Sequence, residues 1–477
     1  MKILFINPPY TNFEGIKESG GHMMPLSLAY LASYLRSKMD CQISILDAEV
    51  LGLNYKKIKQ AIIKERPDII GFTCPTPTMN HVFKISEMVK EKIDPKCIIV
   101  VGGIHPTALP EETMQNKNID FAVLGEGEIT FYELVKALTE GASDFSQING
   151  LTYKKDGQTV INPCRALIEN LDDIPFPARD LFQLEIYRQA PTKQVSDDLA
   201  GPILTTRGCS FSCTHCISQK IWGRNPRFRS AQNVIAEIEE CIDKYGIKQF
   251  NFFDDTFTLI EKRATEICDE IVNRKLNISW NAMSRVNTLS DVLVKKMKAA
   301  GCKKISFGLE SGSQKILDLM KKQATTELAR QATNLVNKNG LLVHASFMIG
   351  NIGETEETIK ETIAFAKNLP LDNVSFLITS PYPGSELYDI AKQRGFITNN
   401  TKWEEFAPLT NTPPILVQDV VSQERLVYWQ KRGFLEFHLR FKYLWHKLKQ
   451  INSLGSLKMM LEGSRVLFRI LTKKFEQ

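Results

Sequence analysis

Three cysteines, Cys209, Cys213 and Cys216, stand in a Cys-x3-Cys-x2-Cys spacing within the run Thr206-Arg207-Gly208-Cys209-Ser210-Phe211-Ser212-Cys213-Thr214-His215-Cys216. No fourth cysteine follows closely. Three clustered thiolates can hold three irons of a four-iron four-sulfur cluster and leave the fourth iron open. A cluster that only carries electrons normally takes four Cys ligands, whereas an open metal position marks chemistry rather than structure. The competing reading of the same residues is a zinc site made by the three thiols and His215. His215 directly precedes Cys216, which makes a relaxed tetrahedron hard to close.

Four further segments could carry chemistry, because each follows a predicted strand. They are Asn251-Phe252-Phe253-Asp254-Asp255-Thr256-Phe257, Met283-Ser284-Arg285, Phe307-Gly308-Leu309-Glu310-Ser311-Gly312-Ser313 and Gly350-Asn351-Ile352-Gly353-Glu354-Thr355. A single acidic residue at a strand end can simply cap a helix or face water. Four such segments in order ask for a common frame.

That frame is an alternation of strands and helices. In the first part, strands are expected at Lys2–Asn7, Gln42–Asp47, Asp68–Thr73, Cys97–Val101 and Phe121–Leu124. Helices are expected at 26–36, 55–65, 81–92, 111–117 and 129–138. Strands separated by helices predict a Rossmann-like, doubly wound parallel sheet, with ligands at the carboxyl ends of its strands. A connector over 143–195 holds a small strand pair, Gly150–Tyr153 and Thr159–Asn162. A second alternating stretch, 196–400, has strands at Ile203–Thr206, Gln249–Asp254, Ser279–Met283, Lys304–Gly308, Val343–Ile349 and Asn373–Thr379. This pattern predicts a partial β/α barrel, again with its chemistry at the carboxyl ends. The division expected is thus 1–142, 143–195, 196–400 and a helical region over 401–477. In the tail, Leu457, Met460, Leu461, Leu467, Phe468 and Leu471 keep helical spacing, and Lys458, Glu462, Arg465, Arg469 and Lys473 take the other face.

Composition narrows the class. The 477 residues are 43% hydrophobic and 24% charged, ordinary for a globular protein of two or three domains. A net charge of +6 with thinly spread basic residues gives no sign of a nucleic-acid partner. Of the ten cysteines, Cys41, Cys74, Cys97, Cys241, Cys268 and Cys302 lie mostly in apolar or helical settings, as buried small hydrophobes do in a reducing compartment. The apolar start Met1–Asn7 is too short for a secretory signal and ends at Pro8-Pro9, and no apolar run approaches membrane-spanning length. The expectation is a cytoplasmic protein.

With these residues in view, the chain resembles the radical S-adenosylmethionine (SAM) enzymes. Their mark is Cys-x3-Cys-x-aromatic-Cys, with His215 here at the aromatic position. The resemblance implies a four-iron four-sulfur cluster on Cys209, Cys213 and Cys216, with SAM chelating the open iron and undergoing reductive cleavage. It places Asp254 and Asp255 at the amino group of SAM, Arg285 at its carboxylate, Glu310 near the ribose or adenosine, and Ser284 among the SAM-contacting residues. A guanidinium suits the carboxylate because it binds bidentately. The family commonly has Pro where this chain has Ile352. The first part resembles the cobalamin-binding domain that precedes the barrel in one large subgroup. Thr73, Thr76, Gly102, Gly103, Gly125 and Glu126 carry that likeness. The Asp-x-His-x-x-Gly loop of the wider cobalamin family is absent and Asn7-Pro8-Pro9-Tyr10 stands in its place, so no His is offered to cobalt there. A vestigial domain without cobalamin is the other reading. His105, between Gly-Gly and Pro, suits a loop-stabilising role better than ligation.

The resemblance covers about residues 1–400 and implies a cobalamin-dependent methyltransferase acting on an unactivated carbon of a small-molecule or lipid-like substrate, with an external electron donor of ferredoxin or flavodoxin type. An oxidative cyclase of the anaerobic magnesium-protoporphyrin type would use the same residues. A non-catalytic cobalamin or cluster sensor would not cleave SAM. The tail reads as a helical lid on the barrel, or as an interfacial helix in which Trp429, Trp445 and Phe468 give peripheral membrane contact.

Overall fold

The computed structural model describes residues 1–10, 21–187, 189, 193–407, 414–441 and 443. The first sheet has seven strands: β1 (Lys2–Asn7), β2 (Gln42–Asp47), β3 (Ile69–Thr73), β4 (Ile98–Gly102), β5 (Phe121–Val123), β6 (Leu151–Lys155) and β7 (Gln158–Ile161). Their order is β2-β1-β3-β4-β5-β6-β7, parallel through β5. The strand pair expected in the connector is β6 and β7, which add to the same sheet antiparallel at its edge. The parallel strands are apolar on both faces because helices cover both. Ile70, Phe72, Ile99 and Val101 pack on Val82, Ile85 and Val89, while Ile3, Phe5, Ile69 and Val100 pack on Leu28, Ala32, Leu134 and Val135. The order reverses between β1 and β3, so the crevice of a doubly wound sheet falls at Asn7–Tyr10 and Thr73–Thr78.

The second sheet holds six parallel strands: β8 (Ala200–Ile203), β11 (Gln249–Phe252), β12 (Ser279–Ser284), β13 (Cys302–Glu310), β14 (Leu342–Ile349) and β15 (Asn373–Ile378), in the order β15-β14-β13-β12-β11-β8. This is an open, partial barrel, as the alternation predicts. In β13, β14 and β15 burial alternates, while β8 and β11 are buried on both faces. Ile305, Phe307, Val343, Ala345, Phe347, Val374 and Phe376 are buried under the outer helices, and the residues between them point inward.

One strand differs from expectation. The first barrel strand ends at Ile203 rather than Thr206, because the Asp254 carboxylate takes the backbone N–H groups of Thr205 and Thr206, at 2.6 and 2.7 Å. The chain then forms a separate short ladder, β9 (Thr206–Arg207) against β10 (Arg227–Phe228). The helix Gln423–His438 starts at a Ser422 cap and packs on the β15 edge, with Gln430 Nε2 donating to the Phe376 carbonyl at 2.9 Å. This is the lid arrangement. Trp429 is buried in it, so it is not an interfacial residue. Trp445, Phe468 and the helically spaced positions from Leu457 to Leu471 lie outside the described residues. No helix among the described residues is long and apolar enough to cross a membrane.

Candidate cluster and cofactor site

The loop carrying the cysteines is held at both ends. Asp254 is fully buried, and its second oxygen accepts from Thr205 Oγ1 at 2.6 Å. Both its oxygens are thereby engaged in building the loop, which revises the expectation that Asp254 and Asp255 face the site together. Asp255 is the exposed one of the pair and accepts from Ser218 Oγ. Local burial raises its pKa, the Ser218 hydrogen bond opposes that, and neighbouring Asp254 adds to it. At Gly208 (φ +100°) a Cβ would meet Pro226 Cα at 3.3 Å and Asn225 O at 3.4 Å, so the turn into Cys209 needs glycine. Cys209 is buried, Cys213 half-buried and Cys216 exposed, and all three are free thiols. Burial pushes the Cys209 thiol up and that of Cys216 up to about 11. They therefore need a metal's charge to ionise. Among the described residues no three His, Cys, Asp or Glu side chains are gathered for a metal ion.

The walls around the thiols are cationic. Arg285 Nη1 lies 3.5 Å from Cys213 Sγ, its guanidinium lies 3.7 Å from the Phe211 ring centre, and Nη2 donates to the Lys322 carbonyl. Its Nε is buried without a partner among the described residues. Glu310 sits at the end of β13 with φ +64°, a left-handed conformation costly for a residue with a Cβ. Its carboxylate pairs with Lys322 Nζ at 2.6 Å. Burial would raise its pKa, but Lys322, His215 and Arg285 outweigh that and hold it low. A Cβ at Gly308 would come within 2.3 Å of Glu310 Oε1, so the small residue makes room for this carboxylate. Ser284 Oγ is tied to Thr258 Oγ1 at 2.6 Å rather than open to the site. In the turn after β14, Glu354 Oε2 accepts from Gly350 and Asn351 N–H groups. Its other oxygen is buried without a partner, and burial raises the carboxyl to about 7.

The first sheet offers its carboxyl edge. A cavity of about 130 Å³ lies at the strand-order reversal, lined by Asn7, Pro8, Tyr10, Asp47, Pro75 and Thr78 among others. Gly103 (φ +98°) would bring a Cβ within 3.3 Å of Cys74 N and 3.5 Å of Thr73 Oγ1. Thr73 Oγ1 lies 3.5 Å from Ser27 Oγ, and Thr76 Oγ1 lies 3.4 Å from His105 Nδ1. His105 is fully buried, edge-on to Trp403 at 4.7 Å, with Nε2 lacking a partner. Gly102 ends β4 and Gly125 (φ +69°) turns the chain after β5. These bare backbone positions suit a bulky planar ligand.

Glu126 departs from its expected place at that ligand. Its carboxylate accepts from Arg207 Nη1 at 2.9 Å, from Arg227 Nη1 at 2.9 Å and from the Ile168 N–H at 2.8 Å. Burial opposes its charge, but the two arginines hold its pKa low. Arg207 Nη2 also reaches Glu128 at 2.6 Å, and all three side chains of this pair of bridges are at most 6% exposed. The Gly125–Glu128 loop of the first sheet is thereby locked to the residue two before Cys209. Sequence inspection missed Arg207, Arg227 and Lys322. Only the first had a signal, its place beside Gly208-Cys209.

The two α/β units each match a known family. Residues 15–135 match the B12 binding domain and residues 203–366 match the radical SAM superfamily. An uncharacterized methyltransferase of Pyrococcus horikoshii is 38% identical, covering 93% of this chain and 94% of its own. The anaerobic magnesium-protoporphyrin IX monomethyl ester cyclase of Rubrivivax gelatinosus is 30% identical over 98% and 85%. The structure of the radical SAM methyltransferase TsrM from Kitasatospora setae with cobalamin and a [4Fe-4S] cluster bound shares the fold, with TM-score 0.67, 21% identity, and coverage of 83% of this chain and 75% of that one. The chain belongs to the radical SAM superfamily, in the group that carries a B12-binding domain, and it is an enzyme whose cofactors are a four-iron four-sulfur cluster, SAM and cobalamin.

Proposed function

We propose that this enzyme transfers a methyl group to an unactivated carbon of a small molecule. The observation that carries the reading is the buried Arg207–Glu126–Glu128 bridge, which holds the B12-domain loop against the cysteine loop. Two cofactors that must act on one substrate need such a fixed spacing. The Pyrococcus horikoshii relative, named a methyltransferase, supports it.

In this reading Cys209, Cys213 and Cys216 hold three irons. Asp255 accepts from the amino group of SAM, Arg285 pairs with its carboxylate, and Glu310 receives a ribose hydroxyl once Lys322 shares it. Asp254 and Ser284 position these groups through Thr205, Thr206 and Thr258. Thr73, Thr76, Gly102, Gly103 and Gly125 border cobalamin, and Glu126 fixes their loop. When bound, these groups supply reductive cleavage of a SAM carbon–sulfur bond and carriage of a methyl group. The wall of buried Arg285 and Lys322 with half-buried Phe211 limits water at the reacting edge. A one-electron donor of ferredoxin or flavodoxin type and a reducing, cytoplasmic setting complete the proposal; ten free cysteines are in keeping with it.

The test is anaerobic reconstitution with cobalamin and methyl-labelled SAM, followed by an untargeted product search in host extract. The expected products are deoxyadenosine, S-adenosylhomocysteine and a labelled methyl group on substrate. Deoxyadenosine with an unlabelled, oxidised product would turn the assignment to the cyclase reaction. No deoxyadenosine after reduction would remove enzymatic SAM cleavage altogether.

A further inference from the structure

The three thiols of the cysteine loop do not have equal surroundings. Against the burial that raises the Cys209 and Cys216 thiols, the Phe211 N–H favours the charged form of Cys209 and the Ser218 N–H that of Cys216. Both donors are neutral backbone groups beside the cysteines they serve. Cys213 receives a donor of another kind. Arg285, which directly follows β12, brings Nη1 to 3.5 Å from Cys213 Sγ. This is a charged N–H from outside the loop, 72 positions further along the chain.

The guanidinium is held where it stands. Its centre lies 3.7 Å from the Phe211 ring centre, and Nη2 donates to the Lys322 carbonyl. Arg285 is 8% exposed. Lys322 takes the Glu310 carboxylate at 2.6 Å, and Arg285 forms no ion pair of its own among the described residues. Its charge therefore faces the sulfur without a carboxylate in contact. A guanidinium has five N–H groups. The Cys213 and Lys322 contacts engage one on each terminal nitrogen, and the buried Nε–H is among those that remain. Contact with Cys213 is thus compatible with the SAM carboxylate assigned to Arg285 above.

We propose that Arg285, through this N–H···S contact with Cys213, raises the reduction potential of the cluster. Hydrogen bonds to cluster sulfurs and local charge set such potentials. A reduced cluster carries one more negative charge, shared with its thiolates. A fixed cation with an N–H aimed at one of those thiolates stabilises the reduced form more than the oxidised one. One electron arrives from the external donor, no bond breaks, and the guanidinium keeps its proton in both states. Phe211 is a positioning residue in this scheme, because its ring holds the guanidinium against the loop. The inference rests on the cluster at Cys209, Cys213 and Cys216 and is independent of where a methyl group goes.

The full chain, loaded with cluster and cobalamin, is titrated anaerobically with a low-potential reductant in the absence of SAM. The reduced cluster is followed by low-temperature electron paramagnetic resonance. Arg285→Met should make reduction about tenfold less favourable, the lower end for loss of a hydrogen bond to a charged partner. For one electron that is a potential about 59 mV lower. Arg285→Lys, which keeps the charge, should recover part of the loss. Phe211→Leu, which frees the guanidinium, should lower the potential by a smaller amount. Iron and labile sulfide assays report cluster loading, and Phe211→Leu carries the test if Arg285→Met does not load. A purely structural role for Arg285 would cut the iron content and leave the potential of the loaded fraction unchanged. An unchanged or raised potential in the loaded variants overturns the proposal. SAM is absent from the titration, so a wild type that forms no deoxyadenosine or methylated product would sink the proposed function and leave this inference standing.

Discussion

The first sheet through β5 and the barrel sheet are both parallel and helix-covered, yet they use their faces differently. In the first, neighbouring residues such as Ile99 and Val100 are both buried, one on each side. Its chemistry is confined to the carboxyl edge, where Gly103 and Thr76 sit. In the barrel sheet, Ile305 is buried and Ser306 beside it is partly open. Curving a parallel sheet gives it an inner face that need not be apolar, so the barrel offers both an edge and a lumen. An alternating pattern in a parallel strand is thus a sign of a site, whereas a continuous apolar run is a sign of packing.

The largest contrast is expected at the edges. Cys213→Ala should remove the cluster iron and all deoxyadenosine formation, read by iron assay and chromatography, while the B12 domain keeps its binding of cobalamin. Next is the bridge between the two sheets. Arg207→Met strips the buried Glu126 and Glu128 of a partner, and truncating one side of a buried pair costs about 3–5 kcal/mol. The midpoint of urea unfolding should fall accordingly. The faces themselves come third. Ile305→Ala should cost about 2–4 kcal/mol, whereas Ser306→Ala should stay within about 0.5 kcal/mol. In the first sheet, Ile99→Ala and Val100→Ala should both destabilise, each by at least about 1 kcal/mol. Equal costs at Ile305 and Ser306 would erase the distinction between the sheets.

The remaining contrast is a pH slope. Burial raises the Glu354 carboxyl from the ordinary range to about 7. The folded state therefore holds its proton where the unfolded chain has lost it. That contribution to stability is complete below the usual carboxylate range and disappears as pH rises through about 7. Glu354→Gln should flatten the fall in stability between about pH 4.5 and 7, measured by unfolding across that range.

Much of this was open to inspection of the chain. Every parallel strand but the first of the barrel lies close to its expected place, because runs such as Ile98–Gly102 and Asn373–Ile378 are bounded by loop residues and separated by amphipathic helices. The cysteine loop announced itself by spacing. What stayed hidden was which of two similar residues faces which way. Asp254 and Asp255 are chemically equal neighbours, and one builds the loop while the other opens to the site. Glu126 stands in a glycine-rich loop at a ligand edge, and its partners come from Arg207 and Arg227, far along the chain.

The sequence by itself determined the chemistry available: three thiols with a missing fourth, bare glycine turns at strand ends, and two successive α/β patterns to carry them. Those properties follow from residue type and local spacing. The tertiary structure alone decided which carboxylates are structural and how the first sheet is fastened to the cysteine loop. Such pairings join residues up to 101 positions apart, as for Glu126 and Arg227, and only the folded sheets bring them together.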